Sequence, residues 1–331
     1  MKFATYRNGH PDGCLMVVSR DLAWALDASG LAPNLLQALQ DWDMIAPELE
    51  RLSDALNAGR KANAMPFDPA RCMAPLPRTF QWCDASAFLN HGQLMERAFN
   101  TAPIPDFDTI PVMYQGASDD FLGPCDPVPM PDEALGIDFE GEFGVVTGQV
   151  AMGAPPEVAE RAIRLVVQLN DWSLRSLAAR EMRSGFGFLQ AKPSTSFAPV
   201  AVTPDELGEG WRDGRVQLDL EVTWNEERFG YPNGGEMHYS FGELLAHAAR
   251  TRKLGAGTII GTGTVSNAGG HRGSACITER RVIEILEQGA PVTSFMRFGD
   301  RVRMCARTPA GEAPFGAIDQ CVVQDSAVEA A

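Results

Sequence analysis

Apolar residues recur along this chain in two different rhythms. Between residues 34 and 57, Leu35, Leu36, Leu39, Trp42, Ile45, Leu49, Leu52 and Leu56 fall at three- and four-residue intervals. That spacing puts them on one helical face and predicts two helices divided near Pro47, because proline lacks an N–H and crowds the preceding turn. Upstream, a short strand-like start, the turn His10-Pro11-Asp12-Gly13 and the apolar stretch 14–19 read as a hairpin. Together they predict a small α/β unit over residues 1–73, closed by a proline-rich stretch (67–77) that favours an extended boundary.

Beyond that boundary the rhythm shifts towards two, with strands predicted at 139–146, 216–224, 258–260 and 298–304. Helical intervals remain at 173–183 and 241–250, and a helix start is expected at 155–161, where Pro155 and Pro156 suit the entrance. No internal repeat or low-complexity segment interrupts the pattern. The expected fold is α+β: a β-rich domain over 74–325 behind the small N-terminal one, with 326–331 as a disordered tail.

Composition narrows the function classes. Of 331 residues, 45% are hydrophobic and 21% charged, enough apolar material for a large core. The formal net charge of -15 disfavours nucleic acid and anionic membrane surfaces, both of which are bound through Lys and Arg. A small acidic substrate stays compatible, provided that a metal ion and a few basic residues make its site locally positive. The seven cysteines are scattered without a CxxC pair, so neither a disulfide framework nor a zinc cluster is expected. The N-terminal residues lack an apolar signal core, and no run reaches the roughly 18 apolar residues of a membrane span. A cytoplasmic protein is the expectation.

Candidate chemistry starts in residues 136–146, GIDFEGEFGVV. Strand alternation puts Asp138, Glu140 and Glu142 on one face and Ile137, Phe139 and Phe143 on the other. A solvated edge strand would carry such a row without consequence. The apolar neighbours Val145 and Val146 argue for burial instead, and adjacent buried carboxylates need a cation or a proton between them. Asp171, in the segment Asn170-Asp171-Trp172-Ser173-Leu174-Arg175, follows the apolar run 163–169 at what reads as an element's end. By itself, Asp171 or Ser173 could simply close an Asx turn or cap a helix. His91 lies seven residues past Asp84 and is one of five histidines, most of which in any protein are structural. Lys192 in Ala191-Lys192-Pro193, Thr264 in the Gly/Thr stretch 261–266 and Tyr114 in Met113-Tyr114-Gln115-Gly116 say little singly.

Taken in this order, these motifs resemble the fumarylacetoacetate hydrolase family from Asp84 to about Val323, with weaker similarity to its bacterial-type N-terminal domain in residues 1–73. The resemblance implies Asp84, Glu140, Glu142 and Asp171 as metal ligands. An all-oxygen set suits Mg2+ or Ca2+, with Mn2+ as a further alternative, rather than zinc. It implies His91 as the base that activates water, Arg175 and Lys192 as stabilisers of oxyanions, and Tyr114 and Thr264 as substrate-binding residues. Two departures stand out. Ala178 occupies the position of a family glutamine, and Glu279 aligns with the glutamate partner of the histidine only across a small gap. The implied activity is metal-dependent hydrolysis of a carbon–carbon bond in a 1,3-diketo acid. Oxaloacetate-type decarboxylation, 2-oxo-acid hydration and enol–keto isomerisation are alternatives on the same scaffold. The family also implies a homodimer.

Overall fold

The computed structural model describes residues 1–60, 62–99 and 102–325, so the expected tail at 326–331 lies outside the described residues. An eleven-stranded sheet runs through the centre of the molecule. Its ten-strand path starts at Met65–Pro66, passes Trp24–Asp27, Cys14–Val18 and Lys2–Tyr6, crosses Ala201–Val202 to Ile163–Asn170 and Gly141–Thr147, and ends on Ile259–Gly261, Trp82–Ala85 and Met113–Gly116. Ser196–Phe197 pairs alongside Ile163–Asn170. The expected N-terminal hairpin forms, with Lys2–Tyr6 antiparallel to Cys14–Val18. Its first strand also pairs with Ala201–Val202, so one continuous sheet joins the N-terminal residues to the rest.

Alternation along the central strands separates two cores. Phe143, Val145 and Val166 face one core, where Leu220, Val222, Met304 and Ile318 meet them from a second, five-stranded sheet. Leu165, Val167 and Leu169 face the other, packed with Leu35, Leu39, Leu49 and Leu56. Those four leucines come from helices α1 (Leu35–Gln40) and α2 (Trp42–Asn57). The helical stripe is as expected, but the break between the helices falls at Asp41, and Pro47 lies inside α2. Proline costs the helix one backbone bond. Here the buried stripe outweighs that loss, and Asn34 caps α1 by accepting from the Gln37 N–H.

The proline-rich stretch is a packed strap: Cys72, Ala74 and Leu76 are buried, and the Met73 N–H donates to the Thr5 carbonyl. Among the described residues the remaining α-helices are α3 (Leu89–Phe99), α4 (Pro156–Glu160), α5 (Arg175–Ser184), α6 (Phe241–Ala248) and α7 (Ile277–Gln288). Of these, the sequence pattern predicts α4, α5 and α6 but neither α3 nor α7. No helix among the described residues is long and apolar enough to cross a membrane.

Candidate metal centre and active site

Neighbouring strands of the central sheet bring the predicted carboxylates together. Asp84 lies on Trp82–Ala85, opposite Tyr114 on one side and Gly261 on the other. Glu142 lies on Gly141–Thr147, opposite Leu169, and Asp171 follows the last residue of Ile163–Asn170. Glycine is required at 261, because a Cβ there would stand 2.6 Å from Asp84 Oδ1. The Gly263 N–H donates to the same oxygen at 3.0 Å. Asp84, Glu140, Glu142 and Asp171 are all buried, and each offers a carboxylate oxygen within 4.8 Å of the others.

The expected face of three acidic residues is broken. The strand is interrupted after Asp138, where the Glu140 N–H turns to Asn170 Oδ1 (2.8 Å) and the Glu140 carbonyl accepts from the Asp171 N–H (2.9 Å). Asp138 points away from the cluster to the start of α7, so only Glu140 and Glu142 share the site. Asp171 caps no helix. It accepts from Thr195 Oγ1 (2.8 Å) and from the Tyr114 hydroxyl, and Lys192 Nζ lies 2.7 Å from it.

Basic groups surround the cluster. Lys192 is also 2.7 Å from Glu140, and Arg175, at the start of α5, reaches Glu140 through Nη2 and Asp138 through Nε at 2.8 Å. His91, on the first turn of α3, sets Nδ1 2.8 Å from Oε2 of Glu279, which α7 carries and buries. Thr264 is buried in the loop beside Gly263. Ala178 lies on α5, one turn past Arg175. Sequence reasoning missed Thr195 as a partner of Asp171. A threonine in a polar loop carries no signal of its own.

The electrostatics single out where a cation fits. Burial, then the neighbouring Asp171, pushes Asp84 up to about 7. Burial and three adjacent carboxylates push Glu142 well above the usual range. Burial would raise Glu140 too, but Lys192 and Arg175 outweigh it and hold that carboxyl below its ordinary value. Lys192 stays protonated because Asp171 and Glu140 override its own burial. Both Glu142 oxygens are buried, and among the described residues no backbone or basic group donates to either. Orphaned buried carboxylate oxygens are rare and costly, and four oxygen donors of this kind fit a hard divalent ion.

A family model for the C-terminal part of fumarylacetoacetate (FAA) hydrolase matches residues 81–323, and one for fumarylacetoacetase N-terminal domain 2 matches residues 1–78. The chain belongs to the fumarylacetoacetate hydrolase family. Among curated relatives, a 2,4-didehydro-3-deoxy-L-rhamnonate hydrolase of a Sphingomonas species is 29% identical over 50% of this chain and 56% of its own length. A mitochondrial oxaloacetate tautomerase of Xenopus laevis is 23% identical over 48% of this chain and 49% of its own. The chain thus spans about half the length of these relatives. A Mycobacterium smegmatis structure described as an HpcE protein shares the fold across 98% of this chain and 100% of that one, with TM-score 0.71 and 20% identity. The maleylpyruvate hydrolase of Sphingobium sp. SYK-6, solved with manganese(II) and pyruvate, does so at 98% and 100%, with TM-score 0.64 and 17% identity. Family members therefore include hydrolases and tautomerases.

Proposed function

We propose that this chain is a metal-dependent hydrolase that cleaves a carbon–carbon bond of a 1,3-diketo acid, fumarylacetoacetate or a related acylpyruvate, in the breakdown of aromatic compounds. The observation that carries this reading is the His91–Glu279 pair beside four clustered carboxylates. Asp84, Glu140, Glu142 and Asp171 would hold Mg2+, Mn2+ or Ca2+. When bound, the ion supplies Lewis-acid polarisation of the substrate's oxo groups.

Each of the chain's own residues has a part. The Glu279 carboxylate accepts the Nδ1 proton of His91, which fixes the tautomer and leaves Nε2 as the base. Nε2 takes a proton from water as its oxygen bonds to the acyl carbon. Lys192 and Arg175 offset the negative charge that forms on the carbonyl oxygen. The carbon–carbon bond then breaks, its electron pair stays on the departing oxo-acid fragment, and His91 returns the proton to that carbon. The products are a carboxylic acid and a shorter oxo acid, with one water consumed. Tyr114, whose hydroxyl donates to Asp171, and Thr264 would contact the substrate.

A spectrophotometric panel of fumarylacetoacetate, fumarylpyruvate, acetylpyruvate and oxaloacetate with Mg2+ tests this. Loss of a diketo substrate's absorbance, abolished by chelator, is expected. H91A should lose that turnover by about 100- to 10,000-fold while metal binding survives. Ala178 in place of the family glutamine favours a second reading, enolate chemistry such as oxaloacetate tautomerisation or decarboxylation. Turnover of oxaloacetate alone, largely retained in H91A, would establish that reading instead.

A further inference from the structure

Asp138 is fully buried, stands outside the carboxylate cluster and has no part in the mechanism above. It nevertheless accepts four hydrogen bonds from two separate elements. At the entrance of α7, the Ile277 N–H donates to Oδ1 (2.7 Å), and the Thr278 N–H (2.9 Å) and Oγ1 (2.7 Å) donate to Oδ2. From the start of α5, Arg175 Nε donates to the same Oδ2 at 2.8 Å.

We propose that Asp138 is a positioning residue: one carboxylate locks the first turn of α7, and with it the Glu279–His91 pair, in register with Arg175 and Glu140. This rests on the functional reading above. The first N–H groups of a helix have no partner within it, and the helix dipole favours negative charge there. Asp138 takes two of these N–H groups, and Cys276 Sγ takes the third, from Glu279 itself at 3.3 Å. Glu279 lies on that same turn, so the direction of its carboxylate towards His91 follows from how the turn is held. On the other side, the guanidinium is gripped at two points, Nε by Asp138 and Nη2 by Glu140, which fixes its plane. An amide cannot replace this carboxylate. Asn has one acceptor oxygen, so its NH2 would face either the Ile277 N–H or the cluster of Thr278 and Arg175 donors.

The test uses Mg2+-loaded protein labelled with 15N-histidine, with H91N assigning the His91 Nδ1–H resonance. In D138N this resonance should move towards its position in E279Q, and T278A, which removes only the hydroxyl contact, should move it less in the same direction. With the diketo acid that the wild type turns over, kcat of D138N should fall about 10- to 100-fold with KM within about threefold. The double variant D138N/E279Q should be no more than about threefold slower than the slower single variant, because both changes act through one pair. A His91 resonance unmoved in both D138N and T278A, or kcat losses that multiply in full, would overturn the proposal. If the wild type turns over no diketo acid, the functional reading falls and the resonance alone decides the role of Asp138.

Discussion

Glu142 expresses most directly what this site needs. A carboxylate buried with no donor directed at it must hold a proton or meet a cation, and burial together with the neighbouring Asp171 raises Asp84 beside it. Neutralising both glutamates as E140Q/E142Q should therefore abolish metal-dependent thermal stabilisation, worth about 2.7 kcal/mol at a hundredfold excess of ion over Kd in the wild type. Calorimetric melts with and without Mg2+ check this. The raised groups also set a pH dependence. At pH values below about 4, Asp84 is protonated whether folded or not. As pH rises, the unfolded chain ionises while the metal-free fold keeps the Asp84 proton up to about 7. The metal-free protein should lose stability through that window, and the ion-bound protein, whose carboxylates are compensated, should not. The gap in Tm between the two forms should widen as pH rises, and metal binding at about pH 6 should release protons, read by titration calorimetry in buffers of different ionisation enthalpy.

Several site side chains are aimed by whole segments. Lys192 follows a loop held by one residue of α5, since the Glu181 carboxylate accepts from the N–H groups of Leu189 (3.0 Å), Gln190 (2.8 Å) and Ala191 (3.1 Å). The same loop sets the Phe188 ring edge-on to Tyr114, with centroids 4.9 Å apart. E181A should free this segment and misplace both Lys192 and Tyr114, lowering kcat/KM by up to about 100-fold with little change in Tm. Steady-state kinetics alongside thermal melts separate that outcome from general destabilisation. The pattern of α1 and α2 was legible because an apolar stripe needs only local spacing. The break at Asp41 was not, since the tolerance of Pro47 depends on how firmly Leu49 and Leu56 are buried. Similarly, α7 carries an ordinary amphipathic sequence, and its bearing on the site comes from contacts with distant residues, Glu279 with His91 and the Ile277 N–H with Asp138, 139 residues away.

At the scale of the molecule, the central sheet binds the N-terminal strands to the site-bearing ones. Lys2 and Phe3 pair with Val202 and Ala201, and Val166 pairs with Val202 from the other side. Removing residues 1–78 should expose the sheet edge at Ala201–Val202 and uncover Leu165, Val167 and Leu169. The remainder is expected to aggregate or to lack a cooperative thermal transition, as light scattering and circular dichroism would record. Sequence by itself determined the alternation that buries Phe143 and Val145, the helical stripe of α1 and α2, and, through ordered motifs, the residues assembled around the cluster. These follow from local periodicity and from residue types that keep their chemistry wherever they stand. Tertiary structure alone decided that Asp138 leaves the face it shares by spacing with Glu140 and Glu142 and that Thr195 and Tyr114 serve Asp171, and it set Glu279, which the sequence aligns only across a gap, against His91. Each of these is a contact between distant segments, set by strand order and helix placement. A period of two along one strand carries no record of which neighbour lies across from it.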